Sequence, residues 1–283
     1  MTINLKALNS VSWQREGART AILEKAGFQP PQEHAAIAER LARLEGMSEP
    51  VTARLVEAVV TGEGDVEQLR AGALAEVGGN VHRLNDLVRN GVERAQGRIV
   101  REVAAETYKA VQSSFNAAAT AFAKAVAAAD PETPAEDIIS QGDLKIQKAW
   151  QDAAQHSAEL DRLLVPVLAA AANAGLPHPA GADTSAVAGR SPKTKSMVLG
   201  LVVDATGVEN IRDVWTALDA EGRTGAWGAL LRVGAKIGAK NLDSYEPLRQ
   251  PAQLVDRKVE RGDGTYTWVT VDPELEETAA TAE

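Results

Sequence analysis

The stretch 81–103, VHRLNDLVRNGVERAQGRIVREV, spaces its apolar positions in an unusual way. Val81, Leu84 and Val88 are followed, each 11 residues further on, by Val92, Ala95 and Ile99, and then by Val103. An 11-residue period corresponds to about 3.67 residues per turn, slightly more than a straight helix, so the seam stays nearly parallel to the axis. The pattern recurs in Tyr108, Val111 and Phe115, then in Ala119, Phe122 and Val126. Such a helix packs along its length without left-handed supercoiling. The seam Val81, Leu84, Val88, Val92, Ile99 and Val103 is expected to lie in an interface, within a long bundle or between subunits.

The flanking patterns place this helix among others. Residues 1–64 read as short helices broken by Pro30-Pro31 and by EGMSEP at 45–50. From Val66 to Ala129 there is no proline and the composition favours helix, with Gly78-Gly79 as a point of possible break. ADPETPAED at 129–137 closes that helix and opens the next: Thr133 can cap, Pro134 suits the first helical position, and Glu136 completes a capping box. Ile139, Ile146, Trp150, Ala153, Ser157, Leu160, Leu164 and Leu168 then follow mostly at spacings of 3 and 4, which predicts a helix folding back antiparallel and ending near Gly175. Residues 65–175 are thus expected to form a long antiparallel helical hairpin.

Residues 176–196 are rich in Pro, Gly, Ser and Ala without periodicity, and read as a linker. Beyond it, 197–271 reads as a small α+β domain. SMVLGLVVDATG fits a helix or a buried strand equally, two helical patterns follow, and Leu254–Glu260 with Thr265–Val271 forms a β-hairpin turning at 261–264. The RGDG at that turn is explained by the turn itself. Residues 272–283 read as an acidic tail. The expected fold class is mainly α: an elongated antiparallel long-helix bundle with a small α+β C-terminal domain ending in a β-hairpin.

Composition narrows the function. Of 283 residues, 45% are hydrophobic but only 4% aromatic, so alanine and aliphatic side chains must supply the packing. A formal net charge of −9 disfavours general nucleic-acid binding. Without cysteine there are no disulfides, thiolate metal sites or cysteine nucleophiles. The N-terminal residues lack a signal-peptide pattern, and no apolar run approaches the roughly 18 residues of a membrane span. These features suggest a cytoplasmic protein or one assembled into a particle.

Catalytic chemistry finds no support in the pattern. His34, His82, His156 and His178 stand at no metal-ligand spacing, and no G-x-S-x-G elbow occurs. AGRSPKTKS at 188–196 departs from the phosphate-loop spacing. No catalytic residue, cofactor or metal is therefore assigned. The distinctive local feature is GAWGALLRVGAKIGAKN at 225–241, which reads as a basic amphipathic helix: Trp227 lies on its apolar face, and Arg232, Lys236 and Lys240 recur every four residues on another. That pattern fits first a packed helix with a solvated basic edge, then a partner-docking surface, then a membrane surface.

Long seams and scarce catalytic residue types together point to a non-catalytic structural or assembly protein that forms homo-oligomers or belongs to a larger particle. The Ala-, Val-, Arg- and Gly-rich usage is similar to that of proteins from GC-rich bacteria and their phages, which makes a phage-type virion component the particular expectation. The alternative is an adaptor or regulator that docks a protein partner through Trp227, Arg232, Lys236 and Lys240.

Overall fold

The computed structural model describes residues 16–46, 51–77, 80–176, 192–261 and 265–274. Among them the chain is mainly helical, with ten helices and two small antiparallel sheets. It divides into two compact units, Gly27–Ala105 in one and Met1–Ala26 with Glu106–Glu283 in the other.

The first unit holds helices α2 (Gln32–Gly46), α3 (Val51–Thr61) and α4 (Val66–Val77), together with the start of α5 (Asn80–Ala128). Gly62 and Gly64, at φ +74° and +110°, turn the chain between α3 and α4, and Asp65 caps α4 by accepting from the Gln68 N–H at 3.0 Å. Ala58 and Ala73 are buried at this pair. A Cβ at Gly72 would stand 2.8 Å from Val51 Cγ1, so glycine lets the two helices come close. Gly78-Gly79, the point at which the sequence allows a break, lies outside the described residues.

In the second unit, α1 (Glu16–Lys25) packs closely on α7 (Leu144–Asn173), burying Thr20 and Leu23. Arg19 Nε donates to Asn173 Oδ1 at 2.6 Å across that contact. Pro166 lies buried inside α7 without ending it. The helix stops as expected at Gly175, whose φ of +100° lets Gly175 and Leu176 donate back to the Ala172 and Ala171 carbonyls.

The start of that helix differs from expectation. The Thr133/Glu136 capping box does not form: the short α6 (Ala135–Ser140) begins after Pro134 with no side-chain cap. Gly142, at φ +68°, then redirects the chain, and Asp143 caps α7 through the Lys145 and Ile146 N–H groups. The Thr133 N–H that the box would offer to Glu136 donates instead to the Asp130 carbonyl at 3.2 Å, and the Thr133 carbonyl accepts from Trp150 Nε1 at 3.0 Å.

The segment expected as a linker already turns helical at Pro192. Helix α8 (Pro192–Val202) buries Val198, Leu199, Leu201 and Val202 and runs into strand β1 (Val203–Asp204). Residues 177–191 lie outside the described residues. Helices α9 (Ile211–Ala217) and α10 (Gly225–Arg232) follow, then β2 (Lys236–Ile237), which pairs antiparallel with β1. This C-terminal part shares a core with α5 and α7. Trp227 of α10 lies edge-on to Phe115 of α5, with ring centroids 6.1 Å apart, and donates from Nε1 to Asp161 Oδ1 of α7 at 2.8 Å. The compact units therefore do not divide at 176–196.

The terminal hairpin forms where expected, as β3 (Val255–Glu260) and β4 (Tyr266–Val271). The acidic tail is not free from its start. Asp272 takes a two-pronged bond from Arg212, and Glu274 is buried, holding Arg249 and the Ala252 N–H.

Candidate functional site

The second run of the 11-residue seam faces the chain's own C-terminal segment. Val111, Phe115 and Phe122 are fully buried, each contributing about 1.5–3 kcal/mol by leaving water. On the adjacent stripe, Asn116 acts as a piece of strand: its carboxamide accepts from the Ala239 N–H at 2.6 Å and donates to the Ala239 carbonyl at 3.2 Å. Gln112 Nε2 donates to the same carbonyl at 3.0 Å, and the Tyr108 hydroxyl donates to the Lys240 carbonyl. Burial pushes the Tyr108 hydroxyl up to about 12.

The first run behaves differently. Ile99 is buried, whereas Val88, Val92 and Val103 are half-buried. Val81 and Leu84 lie on α5, with side chains outside the described ones.

The expected single basic helix over 225–241 is not formed. Helix α10 ends at Arg232, because Gly234 at φ +83° lets Gly234 and Ala235 donate back to the Leu231 and Leu230 carbonyls. Trp227 is 1% exposed and belongs to the core, so it offers no docking surface. Arg232 ends α10, Lys236 lies in β2, and Lys240 follows it.

These cations have acidic neighbours within the chain. At the Asp204 carboxyl, hydrogen bonds from Thr206 and, beyond them, the charges of Lys240 and Lys236 hold it below the usual range. Around Glu132, burial alone would raise the carboxyl. Hydrogen bonds from the Arg223 and Thr224 N–H groups and the Thr224 hydroxyl, with the charge of Arg232, outweigh burial and hold it low. The Arg223 guanidinium also stacks 3.1 Å above the Trp150 ring. Glu132 thus ties the start of α10 to the turn before α6 through the Arg223 and Thr224 N–H groups and the Thr224 hydroxyl.

Two surface features of the helices bear on binding. A groove of about 470 Å³ between α9 and α10 is lined by Ala217, Ala220, Ala229 and Val233, with Asp213, Asp219 and Arg232 around it. Val56, Val59 and Val60 form an i, i+3, i+4 stripe on α3 and are 63%, 64% and 79% exposed. The stripe is hard to see in the sequence because α3 is apolar on two faces, and only the face bearing Ala58 meets α4. Among the described residues no cluster of His, Asp and Glu is arranged to hold a metal ion, and no helix is long and apolar enough to cross a membrane.

Compared with known proteins, the chain matches no family model, no curated protein and no solved structure.

Proposed function

We propose that this chain is a non-catalytic structural protein that assembles with further copies of itself, or with other proteins, into a larger particle. The observation that supports this most is the valine stripe of α3. Isolated exposed aliphatic residues are ordinary, but three valines together on one helix face form a surface whose burial stabilises association. The half-buried valines of the first seam, Val88, Val92 and Val103, add to the same surface chemistry. A phage-type virion component remains the particular form of this proposal, resting on residue usage.

The test is the sedimentation of Val60→Glu beside the unsubstituted chain. Association through the stripe requires the variant to shift towards monomer while keeping its circular dichroism. An unchanged oligomer would remove the stripe from the account.

The groove between α9 and α10 favours a second reading, an adaptor. Its small apolar lining and its rim of Asp213, Asp219 and Arg232 suit a short peptide carrying both an apolar anchor and charge. An adaptor of this kind would stay monomeric and lose its partner on charge reversal at Arg232, with binding weakened by salt.

A further inference from the structure

Among the described residues both outer edges of the terminal hairpin are unpaired, and they differ in chemistry. The strand register places Arg261 opposite Thr265, and the Arg261 N–H donates to the Thr265 carbonyl at 2.7 Å, which sets the phase of the ladder. Thr267, Val269 and Val271 therefore direct their backbone groups towards β3, while Tyr266, Trp268 and Thr270 direct theirs away from it. On β3 the residues facing away are Asp256, Lys258 and Glu260, all charged, which is how native sheets block pairing at an edge. On β4 they are all uncharged and favour strands, and β4 as a whole carries neither charge nor proline.

The hairpin is also held at its base while its sides stay exposed. Arg212 bridges the Ala252 carbonyl and Asp272, and Arg249 grips Glu274, so both ends are anchored to the unit. Tyr266 and Trp268 are nevertheless 57% and 70% exposed, and the sheet contains only β3 and β4 among the described residues. A two-stranded sheet open on both faces is marginal by itself, and further strands stabilise it.

Within the reading that the chain self-assembles, we propose that β4 pairs antiparallel with β4 of a second copy about a twofold axis beside Trp268, making one four-stranded sheet with charged outer edges. The occupant follows from complementarity. A twofold at this point sets Trp268 against the partner's Trp268 and Tyr266 against Thr270 of the partner subunit, joining residues whose backbone groups already face outward. Centring the axis on Val269 would instead put Tyr266 opposite the partner's Asp272, a residue engaged by Arg212.

The test uses the full chain. Trp268→Lys and Trp268→Glu each place like charges opposite one another at the axis. Each should weaken self-association at least about tenfold, and an equal mixture of the two should restore it, because the charges then pair. The chain has no cysteine, so an introduced thiol reports without interference. Under mild oxidation Trp268→Cys should give a disulfide-linked dimer, and Val259→Cys on β3 should not. Equal cross-linking at the two positions, or Lys and Glu variants that associate like the unsubstituted chain, would overturn the pairing while leaving assembly through other surfaces intact. An unsubstituted chain that is monomeric at every concentration would remove the assembly reading together with this one.

Discussion

Replacing Trp227 with Phe tests how the C-terminal segment is joined to the long helices. The substitution keeps an aromatic ring against Phe115 but removes the N–H that donates to Asp161 Oδ1 at 2.8 Å. A hydrogen bond to a charged acceptor is worth about 1.5–3 kcal/mol, and the half-buried Asp161 can partly recover through water, so the lower end applies. The lost indole volume in a site only 1% exposed adds ~1 kcal/mol. The total is about 2–3 kcal/mol, or roughly 4–12 °C in the melting of a unit of this size.

The pH dependence is diagnostic. Burial holds the Asp161 carboxyl above its usual range, although the Trp227 N–H opposes this. A carboxyl raised in the folded state binds protons more readily there than in the unfolded chain, so its contribution to stability falls as pH rises through the window above the ordinary value. Without the N–H the folded value rises further, and the cost of Trp227→Phe must be larger at pH 7 than at pH 4. Urea unfolding followed by tryptophan fluorescence suits this test, since residues 27–105 contain no Trp and the signal reports the other unit. A cost below about 0.5 kcal/mol, or one independent of pH, would refute the role assigned to this bond.

Three further outcomes are expected. Asp143→Ala should cost ~1 kcal/mol by removing the cap of α7, whereas Thr133→Ala with Glu136→Ala should cost much less, as read by thermal melts. Gly200→Ala should destabilise by several kcal/mol or prevent folding, because its Cβ would stand 2.7 Å from Leu248 N and Pro247 Cα, backbone atoms that cannot yield locally. Glu132→Gln should lower stability at neutral pH and lose its effect in acid: a carboxyl depressed in the folded state stabilises above its unfolded value, and that contribution disappears as pH falls through the folded one. Titrating the unfolding free energy of both proteins between pH 3 and 7 checks it.

Local signals were readable where local chemistry decided the structure. The strands of the hairpin, the stop at Gly175 and the helical character of 66–129 all follow from residue type and spacing. Distant contacts decided the rest. Glu132, beside the apparent capping box, is engaged by Arg223 and Thr224. The run Arg232, Lys236, Lys240 imitates a helical face, yet the glycine at 234 ends the helix, and the following residues pair with β1 and with Asn116. Gly234 was visible in the sequence, and its stop signal was outweighed by the apparent period. The glycine- and proline-rich run at 176–196 suggested independent domains, but the C-terminal segment fills the core around Phe115. Truncation at 175 would therefore expose Val111, Phe115 and Leu160 and give misleading aggregation.

Sedimentation velocity of the intact chain, over a wide concentration range and at low and high salt, addresses self-assembly most directly. Apolar contacts are little screened, so an oligomer held by them should persist in high salt and strengthen with concentration. A monomer at every concentration in both salts would contradict it.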